Sequence, residues 1–200
     1  MINKLLNDWT RVKNHCRTTV GKNFTENEPG SEFKKKLLLS EHSPIRLLQV
    51  DWSWKGIKSW VATHWTRHKW ECFVSTQRDD RTTTVNQTHQ SRDKAPQDTP
   101  VNFDGYANAQ HLIDTFRKRL CFCASAETRK LAEDLKIELH KLEPEWADVL
   151  VPNCLYRCGC PEFNTCGYWE KFIKDHPEVD ITDIQKRYDA YNKYFYEKHV

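Results

Sequence analysis

The sequence lacks any long apolar run. No stretch of its 200 residues approaches the ~18 apolar residues of a membrane-spanning helix, so a membrane-embedded chain is not expected. The opening segment, Met1 to Thr10, has no apolar core and no small-residue cleavage site, which argues against a secretory leader. Charge of one sign is also lacking. The 31 Lys and Arg are nearly balanced by 28 Asp and Glu, and the net charge of +3 is too small to imply nucleic acid. It is compatible with anionic small molecules. Paired Cys-x-x-Cys motifs are missing, although there are eight cysteines. Without a leader, such cysteines read as reduced cytoplasmic thiols or metal ligands, not as a disulfide framework.

Apolar residues are scarce, at 38% against 30% charged, but there are eight Trp. Each Trp buries a large flat area, so a polar chain of this kind can still build a core. The length suggests one domain with an appended segment.

Leu5, Trp9, Val12 and Cys16 recur at helical spacing, so residues 4–20 are expected to form a helix. Residues 21–31, rich in Gly, Pro, Asn and acids, read as a loop. Lys34 to Lys36 read as a solvated face. Pro44 biases Ser43 away from helix, so Glu41 to Pro44 should turn into a strand. Leu48, Val50, Trp52 and Trp54 alternate with polar residues, the pattern of a half-buried strand that Gly56 is expected to end. Ile57, Trp60, Val61, His64 and His68 then mark one face of a helix. Residues 79–102 have no periodicity and read as a long loop, a lid in its functional version.

Residues 107–120 read as a further helix with Leu112, Ile113, Phe116 and Leu120 inward and Asn108, Arg117, Lys118 and Arg119 on the polar side. Ser125 is the expected N-cap of the next helix, with Leu131, Leu135, Leu139 and Leu142 as its core stripe. Arg129 sits in its first turn, where it opposes the helix dipole, which favours a ligand-facing role. Ile181, Ile184, Tyr188 and Tyr191 suggest a terminal helix capped by Asp180.

The stretch from His64 to Arg81 organises the chain. Arg67, His68 and Lys69 are consecutive, and successive helical residues rotate by ~100°, so the three cannot share one helix face. They suit a helix end, where each reaches a different part of an anionic ligand. Ser75, Thr76, Gln77 and Arg78 supply hydroxyl, amide and guanidinium groups suited to a phosphate and a pyrimidine. Charge alone equally describes a solvated basic helix end. His64 reads either as a partly buried core His or as a phosphate donor.

These residues resemble flavin-dependent thymidylate synthases. Arg67-His68-Lys69 is similar to that family's Arg-His-Arg triplet, and Thr76-Gln77-Arg78 to its Ser-x-Arg segment. His42-Ser43-Pro44 resembles its His-x-Ser-Pro turn. Asn108-Ala109, Arg119 eleven residues after that Asn, Cys121 and the run Ala124 to Arg129 (ASAETR) resemble a further block. Val151 to Cys154, Gly159 to Phe163 and Cys166-Gly167 resemble the family's cysteine-bearing ends. The match spans roughly residues 40–167. Three departures stand out: Val74-Ser75 replace an Asn-Glu pair, residues 101–105 lack a usual Arg, and Asp79 replaces a Tyr.

The resemblance implies a mixed α/β (α+β) fold, a small antiparallel sheet flanked by helices, of the thymidylate synthase-complementing-protein type. It implies a synthase-like domain over 1–167 with a helical extension over 168–200. The implied reaction is reductive methylation of dUMP to dTMP, with FAD as cofactor and NADPH and methylenetetrahydrofolate as co-substrates. It implies a homotetramer whose sites combine residues from several subunits. On that basis Arg67, His68, Lys69, Asn108 and Arg119 would bind the flavin. His64, Arg67, Thr76, Gln77, Arg78 and Arg129 would bind the nucleotide, with Arg129 also catalytic. Alternatives are a flavoenzyme modifying another pyrimidine nucleotide and a zinc-containing nucleic-acid-binding module. Cys154, Cys158, Cys160 and Cys166 lie within thirteen residues and could hold zinc, but reduced structural thiols are the default and no metal ligand is assigned.

Overall fold

The computed structural model describes residues 1–77 and 92–199. Four strands, β1 (Ile2–Leu6), β2 (Gln49–Lys58), β3 (Glu71–Val74) and β4 (Pro100–Asn108), form one antiparallel sheet in the order β1-β2-β4-β3. The helices described are α1 (Trp9–Thr18), α2 (Ser31–Leu39), α3 (Ser59–Trp65), α4 (Ala109–Arg119), α5 (Ala126–Leu142), α6 (Pro144–Asp148), α7 (Asn153–Arg157), α8 (Tyr168–Asp175) and α9 (Ile184–His199). This is the mixed α/β architecture that the resemblance implies.

The central pair is β2 and β4. In β2 the alternation places Val50, Trp52 and Trp54 in the core and Gln49, Asp51 and Ser53 on the opposite face. In β4, Val101, Phe103, Gly105 and Ala107 are buried in the same rhythm. Helices α3, α4 and α5 pack on the sheet. The opposite face is polar and internally bonded: Asn3 donates to Asp51 and Ser53, and Ser53 donates to Asp104. Gly105 sits directly across from Trp52. A Cβ there would run into the fully buried Trp52 indole, so only glycine lets the two strands close over that ring.

Several expectations are corrected. Residues 2–6 are an edge strand, not the start of a helix. Leu5 belongs to β1, while Trp9 and Val12 belong to α1, whose N-cap Asp8 accepts from Arg11 N at 2.8 Å. The 3–4 spacing therefore crosses an element boundary. Pro44 opens a short 3-10 helix, Ser43–Leu47, that leads into β2. Gly56 does not end β2. It takes φ 66° at a bulge between Trp54 and Ile57, and the strand continues to Lys58. Residues 71–74 and 100–108 are strands, so β4 begins inside the expected loop. In α5 the buried row is Thr128, Ala132, Leu135, Lys136 and Leu139, and Leu142 is 53% exposed.

The inward row of α4 and the Ser125 cap match expectation, with Leu112, Ile113, Phe116 and Leu120 buried and Ser125 Oγ accepting from Thr128 N, but α4 starts at Ala109 after β4, and Arg117, expected on its polar side, is buried. Beyond residue 167, α8 and α9 bury Trp169, Phe172, Tyr188, Tyr191 and Phe195 in the same hydrophobic cluster as the sheet. The cap of α9 is Asp183, whose Oδ1 accepts from Gln185 N at 2.9 Å and Lys186 N at 3.2 Å, and not Asp180.

Candidate functional site

Helix α3 is short because its apolar face, Val61, Ala62 and Trp65, is used up within two turns. The chain then turns through residues 66–70 into β3, and this turn carries Arg67, His68 and Lys69. Its inner side is held by aromatic packing. Trp70 stacks on Trp65 with ring centroids 5.7 Å apart and donates its indole N–H to the Trp65 carbonyl at 2.9 Å. His68 meets Trp70 edge-on at 5.3 Å. The triplet is thus exposed at Arg67 and Lys69 and anchored at His68.

Arg119, at the end of α4, closes onto this turn. Its Nε donates to His68 Nε2 at 2.7 Å and its Nη2 to the His64 carbonyl at 2.6 Å. His68 Nε2 must therefore accept, which places the imidazole proton on Nδ1. Burial, then the nearby Arg119 and Lys118, push the His68 pKa down to about 4, so the ring is neutral near pH 7. Burial lowers His64 as well, with Arg119 and Arg67 adding to it; its Nδ1 is 3.0 Å from Thr128 Oγ1. Arg119 itself is lowered by burial and by Arg67. Positive groups are thus crowded together around neutral partners, and an anion would relieve that crowding.

A cleft of about 370 Å³ opens beside them. Arg67, His68 and Lys69 form one wall; His111, Asp114, Thr115, Arg117 and Lys118 of α4 form another; Asn153, Tyr156 and Arg157 of α7 form the third. Five Lys or Arg line it against one carboxylate. Arg117 is a brace: it is bonded to Glu41, lies 3.3 Å from Asp114 and stacks 3.4 Å above the Tyr156 ring. A neighbouring groove shares His68, Lys69 and His111 and adds Gln49, Tyr106 and Asn108. Asn108 Oδ1 caps α4 by accepting from His111 N at 3.0 Å, which leaves its amide N–H₂ for a ligand.

The structure therefore brings Arg67, His68, Lys69, Asn108, Arg119 and His64 together. It does not bring Arg129 to them within one chain. Arg129 lines a separate pocket of about 130 Å³ with Phe122, Glu133, Tyr168 and Tyr194, donates to Glu133 at 3.3 Å and lies 4.5 Å over the Phe122 ring. Exposed Thr76 and half-buried Gln77 follow β3. Arg78, the Asp79 departure and most of the expected lid lie outside the described residues. The sequence reading named Arg117 and Lys118 only as a polar helix face and missed His111, Asn153, Tyr156 and Arg157. Asn153, Tyr156 and Arg157 reach the cleft because α7 packs on α4, which no local pattern signals. Among the described residues, no helix is long and apolar enough to cross a membrane.

No family model and no curated protein matches the chain. Solved structures do. One is the flavin dependent thymidylate synthase ThyX from Helicobacter pylori complexed with FAD and dUMP, with a TM-score of 0.60 at 12% identity, covering 76% of this chain and 98% of that one. Another structure of Helicobacter pylori ThyX, with FAD and dUMP, gives a TM-score of 0.60 at 14% identity over 75% of this chain and 98% of that one. At such identity the likeness is one of architecture: this chain has the fold of the ThyX thymidylate synthases.

Proposed function

We propose that this chain is an FAD-dependent thymidylate synthase, methylating dUMP to dTMP with methylenetetrahydrofolate as carbon donor and NADPH as electron source. The observation that carries the reading is the Arg67-His68-Lys69 turn, held by Arg119, lining a cation-rich cleft and, with Asn108, the groove beside it, in a chain with the ThyX fold. The donor set fits a dinucleotide: Arg67, Lys69, Lys118 and Arg157, beside the braced Arg117, suit a pyrophosphate, and the Asn108 amide in the neighbouring groove can hydrogen-bond a ring edge. When bound, FAD supplies the redox chemistry.

The protein's own residues then have limited tasks. Arg67 and Lys69, exposed at the cleft mouth, hold phosphate. Arg119 is oriented by His68 and the His64 carbonyl, so that its remaining donor edge faces the flavin without a conformational search. Thr76, Gln77 and Arg78 hold the nucleotide. Arg129, at a pyrimidine carbonyl, stabilises the charge that develops as C5 attacks. The separation of the Arg129 pocket from the Arg67 cleft supports a homotetramer with composite sites. The eight unpaired cysteines fit a cytoplasmic setting.

A second reading keeps the flavin and changes the nucleotide. Ser75, which stands in the region of the family's Asn-Glu pair, is committed to the backbone: its Oγ accepts from Asn102 N at 2.9 Å. It is thus a poor substitute for a carboxylate reading a pyrimidine edge, and a mismatched edge costs about 1–3 kcal/mol.

Visible absorbance after FAD reconstitution, with mass by light scattering, tests the flavin and the assembly. A monomer with no flavin affinity overturns both readings. Tritium release from C5-labelled dUMP and dCMP then separates them. Release from dUMP with thymidylate formed supports the first, and release from dCMP alone supports the second.

A further inference from the structure

The folded chain gathers cysteines that are far apart in sequence. Cys121 and Cys123 lie in the turn between α4 and α5, and Cys166 lies just before α8. Their three sulfur atoms all lie within 4.8 Å of one another, the one such convergence of three or more Cys, His, Asp or Glu ligand atoms among the described residues. Tetrahedral zinc with Zn–S bonds of about 2.3 Å sets its sulfurs about 3.8 Å apart, so only small shifts separate this cluster from a metal-holding one. Cys160 and Cys154 line a small cavity together with Cys121 and Cys166. Cys123 Sγ also lies 3.6 Å from the Asn164 carbonyl, which holds the 158–167 segment against the α4–α5 turn.

We propose that Cys121, Cys123, Cys160 and Cys166 form a structural zinc site that clips the α4–α5 turn to the segment between α7 and α8. The set differs from the grouping suggested by sequence proximity. Cys158 is excluded because it lies outside both the sulfur cluster and the small cavity beside it, with its thiol directed to the Ile181 carbonyl at 3.1 Å. Cys154 is fixed on α7 and 7% exposed, outside the group of three converging sulfurs, and cannot shift as a residue on a non-helical segment can. Cys160 is half-buried on the same non-helical segment as Cys166 and can swing into the fourth position. On binding, the four thiols release their protons to solvent and four S–Zn bonds form; no redox partner is needed. Soft thiolates in a tetrahedral set select zinc over harder cations. The inference rests on the sulfur geometry and is independent of the flavin reading.

The clip sits between Arg119 at the end of α4 and Arg129 in the first turn of α5. It would set how the two arginines point, which gives four cysteines on two facing segments a task that packing alone does not require.

The test is metal analysis of the full chain purified with reductant, followed by cobalt(II) titration of the chelator-stripped protein. The expected result is about one zinc per chain and a tetrahedral thiolate-to-cobalt charge-transfer spectrum. Cys121→Ser and Cys166→Ser should lose the metal, Cys158→Ser should keep it, and Cys160→Ser should weaken and alter the cobalt spectrum where Cys154→Ser does not. If the ligand variants fail to fold, the wild-type cobalt spectrum decides. Absence of zinc with no thiolate–cobalt band overturns the proposal. So does a thiol count showing an oxidised pair in this cluster, zinc retained in both Cys121→Ser and Cys166→Ser, or a cobalt spectrum altered by Cys154→Ser and not by Cys160→Ser.

Discussion

Lys136 and Arg119 are both cations withdrawn from water, and the chain treats them in opposite ways. Lys136 is fully buried on α5, and its ammonium donates to the carbonyls of Ala147 and Leu150 at 2.7 and 2.9 Å and to Asn192 Oδ1 at 2.8 Å. The rings of Tyr191, Phe195 and Tyr196 lie 5.2 to 5.5 Å away. Burial pulls its pKa down to about 7, yet three acceptors and three aromatic faces are the surroundings of a protonated amine with all its donors placed. Arg119 has two neutral acceptors and a like charge, Arg67, for company. The first cation is complete inside the chain and ties α5 to α6 and α9. The second is organised and still short of negative charge. That difference separates a structural cation from one kept for a ligand.

The largest expected effect is on the structural side. Lys136→Ala removes the donor from three acceptors and leaves a cavity among aromatic rings, and should cost about 3 kcal/mol or more. Urea denaturation measures it. A loss below about 1 kcal/mol would show that the buried amine does not tie the helices together, and the comparison would fail.

Arg119→Gln should do the reverse. Removing a crowded charge should leave stability within about 0.5 kcal/mol of wild type, while FAD affinity falls about tenfold to a hundredfold, the loss of charge-assisted hydrogen bonds. A melting temperature depressed as far as that of Lys136→Ala would make Arg119 a structural cation too.

Arg129→Lys sharpens the contrast from the catalytic side. The charge stays and the planar fork is lost. Turnover should fall about tenfold with dUMP affinity changed less, since only an interaction stronger in the transition state affects the rate. Weaker binding with unchanged turnover of the bound complex would reduce Arg129 to an anchor.

The smallest effect is the pH response of His68. Its folded pKa, about 4, lies below the unfolded value near 6.5, so the unfolded chain binds more protons between those limits. The stabilisation is present above about pH 6.5 and is lost as pH falls toward about 4. Because the ring is partly exposed, the loss should be about 1 kcal/mol. Urea midpoints across that window should show it in wild type and lose it in His68→Gln, which keeps an acceptor for Arg119. An unchanged slope in the variant would assign the pH response to other groups.

Part of the fold was legible in sequence because its signals are local. The alternation of Val50, Trp52 and Trp54 appears in β2 as expected, and Leu112, Ile113 and Phe116 line α4. β4 escaped because two of its inward residues are Gly105 and Ala107, which carry little apolar signal, and because Gly105 is inward only to make room for Trp52. α8 escaped because it is short and follows a cysteine-rich run that drew the reading elsewhere.

The sequence by itself determined the period of β2 and α4, the Ser125 cap and the basic triplet at a helix end. Each depends on residues within a turn or two of one another. Only the tertiary structure decided which cations were saturated, since Lys136 takes an acceptor from Asn192, 56 residues away, and Arg119 takes its partner from His68, 51 residues away. The same holds for the thiols, where Cys121 and Cys123 meet Cys166 and Cys158 turns aside. Chain spacing bounds how close two groups must be when they are neighbours. It places no bound on groups brought together by packing, and in this protein those are the groups that carry the chemistry.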